Sequence, residues 1–286
     1  MYKIFTLLFA LLLSFVLFAN EPADTTYWKS AGNYGINFTQ VSLTNWASGG
    51  QNSIAGVTKL NYSASYKKEN ISWDNRIDLG YGLSKVEGLV IQKNEDIIDL
   101  QSKLGVRASE KWNYSASLSF ISQFAPGYSD ATNTIKTSNF FAPAHLVVSL
   151  GMDYKPTDWF AMMISPAAGK LTIVNDPDID ATNYGLASSD DNSRIEMGAS
   201  LKALFSKEIF TNVSLSSELG LFSNYFENPE NVDVDWKVAF NLKINDYLSA
   251  QIDTRLLYDA DIKDPVDNVA KVQFKQMLGV GLNFKF

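Results

Sequence analysis

The chain has 286 residues, 24 basic and 31 acidic side chains for a formal charge of −7, one histidine and no cysteine. Without cysteine there are no disulfide frameworks, zinc–thiolate sites, iron–sulfur clusters or thiol nucleophiles, and one histidine excludes a multi-histidine metal centre. The acidic balance and 13% aromatic content argue against a nucleic-acid backbone binder and against a disordered or coiled-coil chain.

In chain order, the first feature is Met1-Tyr2-Lys3 followed by an apolar run from Ile4 to Phe18. That run is too short for a spanning helix and suits a secretory signal, so residues 1–20 are expected to be a cleaved signal peptide. Residues 21–32 are then expected to be a short periplasmic segment, and 33–286 the folded domain. No later stretch approaches the ~20 apolar residues that a spanning helix needs.

From about residue 30 the dominant period is two. The clearest case is Val232, Val234, Trp236, Val238, Phe240, Leu242 and Ile244, alternating with Asp233, Asp235, Lys237, Ala239, Asn241 and Lys243. Twelve such segments begin near Tyr34, Ile54, Ile71, Ile97, Trp112, His145, Trp159, Arg194, Thr211, Val232, Leu248 and Val272. Short links (Lys67–Asn70, Ser109–Lys111, Lys155–Asp158, Ser206–Phe210, Asn245–Tyr247) alternate with longer polar ones (Ser42–Ser53, Lys85–Asp96, Gly127–Ala144, Asn175–Ser193, Glu227–Asp233, Asp259–Lys271). This is the signature of an all-β, antiparallel, up-and-down transmembrane barrel of about 12 strands, integral to a bacterial outer membrane. Its short turns would be periplasmic and its long loops external.

Aromatic placement agrees. Tyr66, Trp73, Trp112, Tyr154, Trp159 and Tyr247 flank short turns, while Tyr81, Phe141, Tyr225 and Tyr258 precede or border long loops, giving two girdles. Pro166 inside an extended run predicts a bulge in the seventh strand. Gly49 and Gly50 allow a tight fold-back at the first loop tip with Trp46 as its anchor. The loop Gly127–Ala144 is the leading lid or plug candidate. The chain closes on Leu278, Val280, Leu282, Phe284 and Phe286 in one row, resembling the terminal signal that barrels present to the outer-membrane assembly machinery.

The faces opposite the apolar rows carry Asp74, Arg76, Asp78, Asp99, Lys103, Arg107, Arg194, Glu196, Lys202, Glu218, Lys237, Lys243, Asp253, Arg255 and Lys275. A basic side chain facing lipid at mid-membrane costs about 2–4 kcal/mol, so these rows are expected to line the lumen. Their mixed signs fit either a salt-bridged, filled barrel or a water-filled pore.

Other chemistry is sparse. His145 is the only candidate for a serine–histidine dyad, and Ser119, Ser122 and Ser149 could reach it only through tertiary structure. Asn175–Asp180 places carboxylates at alternate positions, but an EF-hand counted from Asp176 would need glycine where Ala181 stands and glutamate where Ala187 stands. Gly169-Lys170 lacks the flanking residues of a phosphate loop. No cofactor and no metal site is implied.

Several segments carry a family resemblance. They are Asn37-Phe-Thr-Gln-Val-Ser-Leu-Thr-Asn-Trp-Ala-Ser-Gly-Gly50, Asp78-Leu-Gly-Tyr-Gly82, Gln123-Phe-Ala-Pro-Gly-Tyr128 and Phe141-Ala-Pro-Ala144. Further on are Gly151-Met-Asp-Tyr-Lys-Pro156, Gly169-Lys-Leu-Thr-Ile-Val174 and Leu221-Phe-Ser-Asn-Tyr225. With these the chain resembles the domain of unknown function 3078 family of Bacteroidota outer-membrane proteins. The resemblance implies a barrel and an envelope with an outer membrane. It implies no reaction and transfers no functional residue. The expected activity is a non-enzymatic barrel passing a small or amphipathic solute. A filled scaffold binding another envelope protein is the alternative, and a lipid hydrolase using His145 a remote third. The expected partners are outer-membrane lipid and the assembly machinery, with no nucleic acid.

Overall fold

The computed structural model describes residues 27–43, 51–263 and 269–286. The signal-peptide segment and the Trp46–Gly50 tip lie outside them. In chain order the strands are β1 (Trp28–Val41), β2 (Ser53–Lys68), β3 (Ile71–Val86), β4 (Gln92–Arg107), β5 (Trp112–Ser122), β6 (Gly127–Tyr128) and β7 (Lys136–Ser138). They continue as β8 (Ala144–Thr157), β9 (Phe160–Ile173), β10 (Ser193–Phe210), β11 (Val213–Asn224), β12 (Val232–Lys243), β13 (Leu248–Tyr258) and β14 (Gln273–Lys285). Twelve strands close into one antiparallel barrel in sequence order, with β14 pairing back onto β1, while β6 and β7 form a separate two-stranded sheet. Among the described residues no helix is long and apolar enough to cross a membrane, so the crossings are strands.

The period-two pattern becomes a wall with two chemistries. Ile36, Phe38, Leu104, Leu118, Val148, Leu150, Ile195, Met197, Leu278 and Val280 are among the many large apolar side chains exposed on the outside. Water would not tolerate so continuous an apolar surface, and lipid selects it. The protein is therefore an integral barrel of the outer membrane. A ring of contacts marks the short-turn interface. Trp28 meets Tyr66 at 5.3 Å and Trp73 at 5.6 Å, Trp112 meets Tyr154 at 4.7 Å, and Trp159 meets Phe205 at 5.5 Å.

Three boundaries differ from the sequence reading, one being the expected link Ser206–Phe210, which is the end of β10 and leaves residues 211–212 as the turn. The first strand begins at Trp28, not near Tyr34, so Trp28–Gly32 pair with Tyr62–Tyr66 of β2 instead of forming part of a periplasmic segment. The fourth begins at Gln92, not near Ile97, and the link between β3 and β4 shrinks from Lys85–Asp96 to residues 87–91.

The bulge expected at Pro166 is present. Leu150 opposes Ala167 but Met152 opposes Ile164, and on the other side Gly198 opposes Ala168 while Ser200 opposes Ser165. Buried Ser165 and Ala168, three apart, thereby face the same way. Gly151 sits against this bulge, where a Cβ would collide with the Ile164 carbonyl oxygen.

Candidate functional site

Side chains from opposite walls meet inside the barrel. In a ring of twelve strands β3 lies diametrically across from β11, and β4 across from β12. Arg76 of β3 pairs with Glu218 of β11 and, through Nε at 2.7 Å, with Asp78. Asp99 of β4 pairs with Lys237 of β12 at 2.7 Å. Lys202 Nζ reaches Glu218 at 3.0 Å and donates to Gln101 Oε1 at 2.6 Å, and Gln101 Nε2 donates to both Asp99 and Glu218 at 3.0 Å. Three cations and three carboxylates thus form one balanced network. It also explains how Asp78 and Asp99 can stand opposite each other in register. Like charges at such a position repel, and here each has its own cation.

Further pairs surround this network. Lys103 binds Asp153 at 2.6 Å, Lys59 binds Asp253 at 2.6 Å, and Arg255 makes a two-pronged contact with Asp235 at 2.9 and 3.0 Å. Lys275 of β14 reaches Glu95 of β4 at 2.9 Å. Toward the external side Lys170 touches Asp233 (2.7 Å), Glu196 and Asp259 (3.3 Å each). Arg194 holds Glu227 (2.6 Å), Asp261 (2.7 Å) and Glu196 (3.4 Å). Two cations there face five carboxylates, so the external mouth is acidic.

Not every expected residue joins this interior. Lys243 is exposed and pairs with Asp246 in the short turn, and Arg107 is exposed at the foot of β4, so neither crosses the lumen. Their rows point inward, but both lie where the strands leave the membrane. Asp74 sits opposite Lys103 in register, yet Lys103 turns to Asp153. Lys59, Gln101, Asp153, Lys170, Asp233, Asp235 and Asp259 belong to the network although the sequence reading did not select them. Most occupy the same alternating rows. Lys170 was hidden because the bulge at Pro166 reverses the row on which it would be counted.

His145 occupies the inward row of β8, opposite Ile121 in register. Its Nδ1 lies 3.2 Å from Thr172 Oγ1. Ser149 Oγ instead contacts Ser200 at 3.1 Å, and Ser122 donates to the Pro143 carbonyl. The structure does not bring these serines to the imidazole.

The external loops form an ordered cap. Ala142, Val174, Ile179, Ala181 and Leu186 are buried together with Tyr184 against them, a small apolar core outside the barrel wall. Tyr184 OH donates to the Thr137 carbonyl, joining loop 174–192 to loop 123–143. Lys136 clasps Asp176 and Asp178, Asn139 donates to Asp176 at 2.6 Å, and Asp180 caps the 3-10 turn Ala181–Tyr184. The alternating carboxylates Asp176, Asp178 and Asp180 are spent on these contacts. Among the described residues no group of three or more His, Cys, Asp or Glu is arranged to hold a metal. Lys93 anchors the cap to β4 by binding Asp96 at 2.8 Å and the Ala125 carbonyl at 2.6 Å.

Electrostatics in the cap follow from these contacts. Hydrogen bonds from Lys136 to Asp178 and Asp176 hold the Lys136 ammonium above its ordinary range. Partial burial works to raise the Asp176 carboxyl, but the Asn139 amide, the Asp178 N–H and Lys136 outweigh it and leave it below the usual range. Burial pushes the Tyr184 phenol up to about 12.

Comparisons with known proteins give distant likenesses. Among solved structures, a NanC porin aligns over 88% of this chain and 98% of its own at 8% identity, with a TM-score of 0.40. Outer membrane phospholipase A from Escherichia coli aligns over 93% and 92% at 11% identity and TM-score 0.38. The translocator domain of the autotransporter NalP from Neisseria meningitidis aligns over 96% and 92% at 12% identity and TM-score 0.34. No curated protein matches the sequence. The family model described as "Protein of unknown function (DUF3078)" matches residues 38–128, from the first strand through the start of the cap, so this segment is similar to that family.

Proposed function

We propose that this protein is a non-enzymatic outer-membrane barrel whose axial path is shut at mid-height and which handles an amphipathic solute in its external half. The observation that carries this reading is the balanced ion network between diametrically opposite strands, Arg76 to Glu218 and Asp99 to Lys237. A diffusion pore keeps its walls apart and its charges hydrated, whereas here side chains from both walls make direct contact across the lumen. The ordered cap supports a second reading, a filled barrel that presents loops 123–143 and 174–192 to another envelope protein.

Planar-bilayer conductance of refolded protein tests the closed path, with heat-modifiable gel mobility as the folding control. Folded wild-type barrels are expected to be silent. Replacing both diametric pairs by alanine, a change that leaves net charge unaltered, is expected to produce reproducible single-channel steps. Large steady steps from the wild-type barrel would sink the reading.

A further inference from the structure

The ladder that closes the barrel is incomplete. Asn33–Phe38 of β1 pair with Val280–Lys285 of β14, and there the register stops. On their other edges both strands stay paired farther up, β1 with β2 as far as Val41 and β14 with β13 as far as Gln273. Among the described residues, Thr39–Val41 and Met277–Gly279 therefore face a gap with no ladder across it. Thr39, Gln40 and Val41 are all exposed.

A cavity of about 270 Å³ occupies this gap. Thr39, Asp253 and Met277 from the inward rows line it, and so do Gln276 and Leu278 from the lipid-facing row. Residues of both rows therefore border the same cavity. The lipid-facing rows themselves change chemistry here. Gln40 follows Tyr34, Ile36 and Phe38 on β1, and Gln276 interrupts Phe274, Leu278, Val280, Leu282 and Phe284 on β14. Unpaired strand edges in hydrocarbon are costly, and glutamine amides supply replacement hydrogen bonds at such edges.

We infer that this gap is a lateral portal between the outer leaflet and the upper lumen, and that its ligand is a single-chain amphiphile with an uncharged, hydrogen-bonding head. The cavity volume, about 270 Å³, falls just below the usual range of ligand pockets, about 300–1,000 Å³, which suits one chain and not a two-tailed lipid. The charged group in the lining, Asp253, is already neutralised by Lys59. Gln251 Nε2 already donates to Asp253 at 3.0 Å, so what is left for the head is amide chemistry from Asn37, Asn94 and Gln276. The inference rests on the proposed closed axial path, since a molecule entering above the ion network can leave only sideways or outward.

The natural absence of cysteine makes a lock straightforward. Continuing the β1–β14 register would set Gln40 opposite Leu278, so Gln40→Cys with Leu278→Cys is a disulfide across the gap. The assay is photolabelling of the barrel, refolded in phosphatidylcholine vesicles, by a monoacylglycerol bearing a diazirine in its chain, mapped by peptide mass spectrometry. Wild type is expected to be labelled at the inward positions Thr39 and Met277. Oxidising the locked variant is expected to abolish that labelling, and dithiothreitol to restore it. Thr39→Trp, which fills the gap without relying on disulfide formation, is expected to lose it as well. Inward labelling that survives both changes, or labelling confined to lipid-facing residues, would overturn the portal. Equal inward labelling by a diazirine diacyl phosphatidylcholine would overturn the single-chain assignment. A conducting wild-type barrel in the bilayer experiment removes the closed-path reading instead, so the two failures are distinguishable.

Discussion

Asp99 is 1% exposed and stands opposite another carboxylate, so its environment is defined by the cation that reaches it from the far wall. Deleting one member of a buried pair strands the other. Asp99→Leu is accordingly expected to cost about 3–5 kcal/mol, read as a lowered midpoint in urea unfolding by tryptophan fluorescence, with Asp99→Leu/Lys237→Met recovering most of the loss. A single change as damaging as the double change would show that the two residues do not act as a pair. Gly151→Val is expected to fail differently, by forcing a side chain against the Ile164 carbonyl at the bulge and lowering the folded yield. At this scale the sequence was informative about which residues turn inward and silent about which of them meet. The charges on Arg76 and Glu218 are legible, but their contact joins positions 142 residues apart. Alternation within a strand carries no information about the opposite wall.

The elements were most legible where lipid touches them. From Ile71 to Leu83, from Trp112 to Phe120 and from Val232 to Lys243, an apolar row is required and the period-two pattern follows. The missed strand ends lie outside that belt. Gln92–Asp96 and Trp28–Gly32 form ladders with their neighbours but have no apolar row to announce them. The cap was equally hard to foresee, because its core draws on scattered residues from two loops. Its ion contacts make a pH prediction. The Asp176 carboxyl is held below its ordinary range, so its contribution is complete above that range and is lost as pH falls through the folded value. The Lys136 ammonium is held above its ordinary range near ~10.4, so its contribution is complete below that pH and is lost as pH rises through the folded value. Limited proteolysis of loops 123–143 and 174–192 in reconstituted protein is expected to be slowest across the neutral range and to accelerate at both extremes. Lys136→Met is expected to speed cleavage at neutral pH and to flatten both limbs. Cleavage that ignores pH in wild type would count against the clasp.

For the whole molecule, twelve strands and their closure followed from loop alternation, which is a global property already written in local spacing. The occlusion of the lumen did not follow, because filled and open barrels share the same binary pattern. The terminal row Leu278, Val280, Leu282, Phe284 and Phe286 is proposed as the assembly signal, and the fold adds a second duty for its last member. Phe286 exchanges both backbone hydrogen bonds with Gly32, and its ring packs where a Gly32 side chain would stand. Phe286→Ala is expected to reduce the folded fraction in cells by slowing assembly while leaving refolding from urea into detergent nearly intact. An equal defect in both would assign the residue to the seam alone.

The short β1–β14 ladder also orders events in time. β1 is made first, yet its partner on one edge is the last strand to be made, and uniting them closes a loop of the entire domain. Such a contact carries the greatest loop-closure entropy in the molecule and, with six registered pairs against the fourteen that join β1 to β2, the fewest bonds of any barrel seam to offset it. Closure is therefore expected to be the final step of folding and the first step of unfolding. In native-state hydrogen exchange the amides of Gly35–Phe38 and Val280–Asn283 should lose protection sooner than those at the β3–β4 ladder, and the barrel should come apart as a sheet that peels from one line.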